Sequence, residues 1–304
     1  MALALPLAEQ VRRNKSATVR LFVLVFLILG GLVFSVSLYL QVPLVPALVL
    51  ALVIGAIYLM ISSASSVPAI LAAARARPAN PEVREEKLLM YAVEEMAVAG
   101  GITPVPKVYV QEDEDINAFA TGRNYKEAIV CVTTGALKSL SNEELQGVIG
   151  HEMSHIRNQD IKVTTYAIAL IGLIALLAEI VLRSMFFGGG RRSNSKEGGG
   201  NGLLLIIALA FIILAPIISR LVYFAISRKR EYLADASGAE LTRNPEGLAS
   251  ALEKIAATQP TPNRGDRTVA ALYLDNPFRR GHRASAFSTH PPIQDRIARL
   301  RGKA

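Results

Sequence analysis

Four long apolar runs are the feature that most restricts how this 304-residue chain can fold. They lie at about residues 21–40, 43–62, 163–187 and 203–219, and the sequence between them has the mixed composition of soluble protein. Each run is close to the roughly 20 residues that a helix needs to cross the hydrocarbon of a bilayer. Because 51% of the residues are hydrophobic and only 19% are charged, membrane insertion is favoured over two ordinary soluble domains.

Basic residues predict the orientation of these runs. They flank both open ends of the first two runs, and the short connection between those runs carries no charge. The positive-inside rule then places the N-terminus and everything after about residue 70 in the cytoplasm. For the last two runs the rule is less decisive, because the Gly-rich linker 188–202 between them carries three basic residues. These runs either cross the bilayer or form a hairpin that lies partly in the interface.

The predicted organisation therefore has four parts. Residues 1–66 form an N-terminal membrane hairpin, 67–160 the first part of a cytoplasmic domain, 161–224 a second apolar hairpin, and 225–304 the second part of the cytoplasmic domain. Cys131 is the only cysteine, so the chain has no intramolecular disulfide.

Segment 151–155 spells H-E-x-x-H within a sequence typical of a helix. A capping box at Ser141 and Glu144 predicts where that helix begins. Histidines four residues apart share one helical face and can bind one ion, and Glu152 beside them can accept a proton from a water that the ion holds. Coincidental spacing on a polar helix face is the alternative, and four histidines in the whole chain make it unfavourable.

An acidic pair, Glu231 and Asp235, follows the fourth apolar run. Catalytic zinc commonly has three protein ligands, so two histidines leave one ligand to be found, and Glu231 is the candidate. Asp235 lies one turn later on the same face and can accept the N–H of a ligating histidine. A solvated helix with charges four residues apart is the alternative, which the nearby H-E-x-x-H outweighs.

A helix is predicted over residues 78–99, followed by three short strands at 107–110, 116–120 and 128–132 with a turn between the last two. They predict a small sheet with a hairpin just before the metal-binding helix. An edge strand beside a metal can hold an extended peptide by main-chain hydrogen bonds, although an ordinary core strand fits the pattern equally well. The residues proposed for that edge are Asn117, Ala118, Phe119 and Ala120.

Together these segments resemble the HtpX family of membrane zinc endopeptidases, which are relatives of the type-1 CAAX prenyl proteases. The motifs that carry the resemblance are H-E-M-S-H-I-R-N-Q-D, S-R-K-R-E-Y-L-A-D and S-T-H-P-P-I-Q-D-R-I, and the likeness covers nearly the whole chain. It implies a mainly α fold with a small β-sheet, in a multi-pass membrane protein whose cytoplasmic domain is a gluzincin-like zincin. It also implies one Zn²⁺ per chain.

The same resemblance implies roles for individual side chains. His290 and Arg296 match the family's late H-P-P motif and would face the substrate or stabilise the developing oxyanion. Glu152 matches the general base, and Asp235 matches the acid behind a ligand. The residues that match the zinc ligands are His151, His155 and Glu231.

The expected function is hydrolysis of peptide bonds in misfolded or damaged membrane proteins, at the cell membrane. The partners would be unfolded or membrane-protein substrates and the lipid bilayer, and a homo-oligomer is compatible with the sequence. A net charge of +8 without any nucleic-acid-binding signature excludes nucleic acid as the expected partner. Three alternatives remain: a CAAX-processing protease, an intramembrane metalloprotease, and a non-enzymatic membrane scaffold or transporter component.

Overall fold

The computed structural model describes residues 43–161, 230–258, 272–274 and 290–303 continuously, together with isolated positions elsewhere. The chain divides into two compact units. One consists of Met1–Asn14, Ser65–Thr165 and Phe224–Ala304, and the other of Lys15–Ala64 and Tyr166–Tyr223.

The first helix of the described chain, α1, runs from Leu44 to Ala73 and includes the apolar run predicted at 43–62. Within the described ranges, no helix meets both the length and the apolarity needed to cross a membrane. The runs predicted at 21–40, 163–187 and 203–219, and the linker 188–202, lie outside the continuously described residues.

A four-stranded sheet forms one layer of the first unit, with strand order β1-β2-β4-β3. Strand β1 pairs antiparallel with β2, β2 pairs parallel with β4, and β3 pairs antiparallel with β4. The predicted hairpin is therefore the β3–β4 pair, with Phe119 opposite Cys131, and β3 is an edge of the sheet. The strands are β1 (Ala76–Pro78), β2 (Lys107–Gln111), β3 (Ala118–Thr121) and β4 (Ile129–Thr133).

Six helices of the described chain pack against this sheet or against one another. They are α2 (Arg84–Gly100), α3 (Thr134–Ser139), α4 (Asn142–Arg157), α5 (residues 230–242), α6 (Pro245–Ala257) and α7 (Ile293–Leu300). The predicted helix at 78–99 begins later than expected, because residues 76–78 pair with β2 and Pro81 lies between that strand and α2. Gly101 ends α2 in the left-handed conformation, which glycine adopts without a steric penalty.

The period of two along β4 divides the core into two clusters. Val130 and Val132 point into the main cluster, which α2, α4 and α6 cover. Ile129 and Cys131 point to the opposite face and pack with Phe119, whose ring meets Tyr273 edge to face at 5.7 Å. Because every residue of β4 is buried, this strand is a rigid support for the helix that follows it.

Helix α4 begins at the predicted capping box. The Glu144 amide donates to Ser141 Oγ at 3.3 Å, and the Ser141 amide donates to Glu144 Oε2 at 2.7 Å. Lys254 of α6 donates to the same carboxylate oxygen at 2.7 Å, so the start of α4 is also tied to its neighbour. These contacts fix the position of α4 along its own axis, and with it the position of His151 and His155.

Candidate metal centre

Two imidazole rings of α4 face each other at the predicted H-E-x-x-H motif. His151 and His155 are one turn apart, their ring planes are perpendicular with centroids 4.8 Å apart, and their Nε2 atoms are 3.2 Å apart. His151 is fully buried, whereas the His155 side chain is 16% exposed. One side of the pair is therefore enclosed and the other is accessible.

Glu231 comes from α5 and completes the predicted ligand set. Its Oε2 is 3.6 Å from His151 Nε2 and its Oε1 is 3.5 Å from His155 Nε2. One ligand atom from each of the three side chains lies within 4.8 Å of the others. Helix α5 can approach this closely because Gly238 packs against the backbone of α4, where a Cβ would lie 2.8 Å from the His151 amide nitrogen.

The chemistry of these atoms fits a divalent cation. His151 Nδ1 lies 2.9 Å from Asp235 Oδ1, and His155 Nδ1 lies 3.1 Å from Asp160 Oδ2. A carboxylate only accepts hydrogen bonds, so each Nδ1 carries the proton and each Nε2 presents a lone pair. Two lone pairs and a carboxylate converge on one point, and the Glu231 carboxylate is buried there. Mutual repulsion of these acceptors is relieved by a cation, and an N₂O donor set suits zinc.

The same carboxylates also attract a proton. Burial alone lowers the pKa of His151, but the hydrogen bonds that its ring donates to Asp235 and Glu231 outweigh this and raise the pKa to about 9. For Glu231, burial raises the pKa, but the neighbouring histidines outweigh it and hold the pKa well below the ordinary value. The centre is therefore electrostatically built to hold positive charge.

Asp235 is held by a buried arginine. Arg296 Nη2 and Nε donate to the two oxygens of Asp235 at 2.7 and 2.9 Å, and Nη1 donates to the Leu274 carbonyl at 3.3 Å. Burial raises the pKa of Asp235, but Arg296 and His151 lower it below its ordinary value. The carboxylate therefore stays ionised and keeps the His151 ring in one orientation.

Glu152 lies beside the ligands in a dry environment. It is 2% exposed, and burial raises its pKa above that of an ordinary glutamate although the two histidines act in the opposite direction. The Ala120 amide of β3 donates a hydrogen bond to the carboxylate. A carboxylate whose pKa is raised toward neutrality is better suited to accept and then release a proton.

His290 and Arg296, which the sequence assigned together, occupy different places. His290 is buried, and its Nδ1 lies 3.0 Å from Glu231 Oε2, so the ring is directly at the ligand set. Arg296 donates hydrogen bonds to Asp235 instead. Its guanidinium comes no closer than 3.8 Å to the Glu231 carboxylate. The structure therefore brings His290 into contact with Glu231 and Arg296 into contact with Asp235.

The segment proposed as a peptide-binding edge does lie at the edge of the sheet, and all of its residues are buried. Part of the edge is occupied by the chain itself. The Ala118 carbonyl accepts from the Leu274 amide at 3.0 Å, and the Ala118 amide donates to the Asn117 side chain at 3.1 Å. Peptide binding by Asn117, Ala118, Phe119 and Ala120 stays a prediction.

Asp160 is the site residue that sequence reasoning missed. It is 4% exposed and contacts the second histidine of the motif. An acid five residues after His155 would lie on the opposite side of a continuous helix, so helical periodicity gives no reason to select it. The available signal was the end of the helix, since nothing in the sequence stops the helix before Asn158.

The comparisons with known proteins decide the family. The profile of peptidase family M48 matches residues 84–304, which contain every residue of this centre. The chain belongs to peptidase family M48. The resemblance drawn from the three sequence motifs is thereby confirmed.

The M48 chain also has close relatives along nearly its full length. A "Protease HtpX homolog" of Streptococcus uberis is 43% identical over 297 residues, covering 97% of this chain and 99% of the relative. The protein of the same name from Streptococcus agalactiae serotype III is 45% identical over 298 residues, with the same coverage of both chains. That of Streptococcus pyogenes serotype M28 is 44% identical over 300 residues, again with the same coverage.

Among solved structures, the fold is similar to the crystal structure of S. mikatae Ste24p. The TM-score is 0.52 at 16% identity, and the match covers 88% of this chain and 61% of that one. The likeness confirms the M48 peptidase fold, mainly helical with a small sheet.

Proposed function

We propose that the protein is a membrane-bound zinc endopeptidase. The observation that carries this proposal is the convergence of two Nε2 lone pairs and the Glu231 carboxylate beside a buried Glu152. Family M48 is a family of peptidases, and the relatives that align over nearly the whole chain are named as proteases. A scaffold or transporter would not require these four side chains to meet.

His151, His155 and Glu231 would hold the zinc, which supplies Lewis acidity and an activated water when bound. Glu152 accepts the proton of the attacking water on its carboxylate and transfers it to the leaving amine. The Ala120 amide donates a hydrogen bond to that carboxylate. His290, at 3.0 Å from Glu231, is placed to stabilise the developing oxyanion, and Arg296 acts by holding Asp235.

The substrates that fit this proposal are misfolded or damaged membrane proteins. The supporting feature is the apolar content of the chain, whose runs at about 21–40, 43–62, 163–187 and 203–219 are long enough for membrane helices. The positive-inside rule then places the N-terminus and the catalytic domain in the cytoplasm, with the protein anchored in the cell membrane. An unfolded segment could bind in extended form beside β3.

A second candidate is a CAAX-processing protease, which the similarity to Ste24p favours. That similarity shows only the fold, and this chain spans 61% of the Ste24p chain. The two candidates differ in their substrates. Cleavage of a prenylated CAAX peptide in preference to an unfolded protein would favour the second candidate.

The test is the Glu152→Gln variant of the full-length protein, purified in detergent with zinc. We expect the variant to retain zinc and to cleave an unfolded protein substrate at least about 100-fold more slowly, because general-base catalysis contributes that much. Glu143→Gln is the matched control, since Glu143 is an exposed glutamate on the same helix. Cleavage by Glu152→Gln at the parental rate would exclude Glu152 as the base.

A further inference from the structure

The two histidines of the metal centre are supported unequally. His151 is fully buried, and Asp235 behind it is itself held by two N–H groups of Arg296. The His155 side chain is 16% exposed, so packing restricts its ring less. Its Nδ1 contact is with Asp160 Oδ2 at 3.1 Å. The orientation of His155 thus depends more strongly on one carboxylate.

Asp160 reaches His155 only because the chain turns sharply after α4. The helix ends at Arg157, Asn158 is the C-cap, and Gln159 adopts a left-handed conformation with φ of 59°. Its amide donates to the Ile156 carbonyl at 3.0 Å, which closes the turn. A non-glycine residue is strained in this region, so the turn is maintained against a local preference.

The charge on Asp160 is directed to His155 alone among its described neighbours, whereas the charge on Asp235 is shared between His151 and Arg296. Asp160 is 4% exposed, so water screens this interaction little. A full carboxylate charge behind an imidazole fixes the Nδ1–H tautomer and increases the basicity of Nε2.

We propose that Asp160, directed by the left-handed Gln159, is the positioning residue for His155 and sets the strength with which the centre holds its metal. This inference rests on the proposed function, because it takes the His151, His155 and Glu231 cluster to be a metal site. Asp160 does not touch the substrate. It acts by holding His155 in one tautomer and one ring orientation.

The experiment measures zinc affinity of the full-length protein by competition with a chromophoric chelator, alongside thermal unfolding of the chelator-treated protein. For Asp160→Leu we expect zinc affinity to fall on the order of 10- to 100-fold. Asp160→Asn should lose less, because its amide oxygen still accepts the Nδ1–H although the charge is gone. Asn158→Ala, in the same turn, should bind zinc within about twofold of the parent.

The turn is tested separately. Gln159→Val should weaken zinc binding, because a β-branched residue disfavours the left-handed conformation, and Gln159→Gly should bind zinc as tightly as the parent. Arg243→Val is the matched control, since Arg243 also has a positive φ, 52°, and lies after α5 outside the ligand set. It should change stability without changing zinc affinity.

The outcomes separate the two proposals. If the parent binds no zinc, the proposed function fails. If the parent binds zinc and both Asp160 variants bind it equally tightly, only the inference about Asp160 fails. A loss of zinc affinity in Asp160→Leu that Asp160→Asn partly restores, at similar thermal stability of the chelator-treated proteins, supports the positioning role, because a purely structural defect would lower that stability too.

Discussion

At the scale of single residues, Arg296 is the side chain on which the support of His151 depends. Replacing it with methionine leaves the Asp235 carboxylate buried without its guanidinium, which typically costs about 3–5 kcal/mol. We therefore expect Arg296→Met to lower the free energy of unfolding by about that amount and to reduce zinc content. Urea unfolding and metal analysis measure the two effects. Arg296→Lys should retain only part of the parental stability and zinc content, because lysine lacks the planar guanidinium that donates two hydrogen bonds to Asp235.

Arg299→Met is the control for this prediction. Arg299 lies on the same helix, α7, and is exposed, with its guanidinium 3.9 Å from the Tyr232 ring centroid. Loss of that contact should cost no more than about 1 kcal/mol. Equal destabilisation by the two substitutions would mean that Arg296 matters only for packing in α7.

Glu86 predicts a pH dependence of stability. Arg77 donates to both of its carboxylate oxygens, at 2.7 and 2.9 Å, and this lowers the pKa of Glu86 below 4.5 although burial opposes the shift. A carboxylate whose pKa is lower in the folded state stabilises the fold above its ordinary pKa, and this stabilisation is lost as pH falls through the lowered value. The unfolding free energy should therefore decrease as the pH falls below the ordinary glutamate value of 4.5.

In Glu86→Gln this part of the pH dependence should disappear, with a loss of about 1–2 kcal/mol at pH 7, because Glu86 is buried while Arg77 is partly exposed. Chemical unfolding at a series of pH values measures it. Glu112→Gln removes the exposed partner of Arg77 and should change the unfolding free energy little at any of these pH values. If the unfolding free energy of Glu86→Gln changed with pH in parallel with that of the parent, the assignment of this pH dependence to Glu86 would be wrong.

Sequence reasoning found the residues that meet at the candidate metal centre but not all of the residues that support them, for a physical reason. His151, His155, Glu231 and Asp235 lie at helical spacings, so periodicity alone places each pair on one face. Asp160 depends on the left-handed Gln159, and the local sequence carries no glycine or asparagine at 159 to announce that turn. Arg296 was found only through the resemblance, because its partner Asp235 is 61 residues away in sequence.

At the scale of elements, the site depends on how closely α5 approaches α4. Gly238 makes this possible, since a Cβ there would lie 2.8 Å from His151 N, closer than atoms can pack. Gly238→Ala must therefore move α5, which carries Glu231, away from the histidines. We expect a loss of about 1–3 kcal/mol in unfolding free energy, typical of overpacking, together with weaker zinc binding.

Zinc competition and urea unfolding test this prediction. Gly100→Ala is the matched control, because a Cβ there would meet the flexible end of Ile102 at 3.3 Å rather than backbone. Unchanged zinc binding in Gly238→Ala would show that α4 and α5 can separate without displacing the ligands.

The elements themselves were predicted unevenly. Alternation and turn residues identified the β3–β4 hairpin, and the capping box identified the start of α4. Strand β1 was missed, because Ala-Arg-Pro has no β-forming preference and becomes a strand only by pairing with β2. The pairing with β2, rather than the local sequence, determines that residues 76–78 form a strand.

At the scale of the whole molecule, the proposed zinc ligands come from segments that are far apart in sequence. His151 and His155 precede the segment 161–224, and Glu231 follows it. A metal bound by all three side chains joins these segments in the folded state only, since the unfolded chain offers no preformed site. Its binding free energy is therefore added to the stability of the fold.

Chelation should consequently lower the stability of the whole protein. At free zinc about 1,000-fold above its dissociation constant, the stabilisation is about 4 kcal/mol, and a chelator should remove it and lower the thermal midpoint. Adding zinc back should restore the midpoint. Glu231→Ala should unfold at nearly the same temperature with and without the chelator, because one of the three ligands that join the two segments is missing. A parental midpoint that the chelator leaves unchanged would mean that α4 and α5 are held together without a metal.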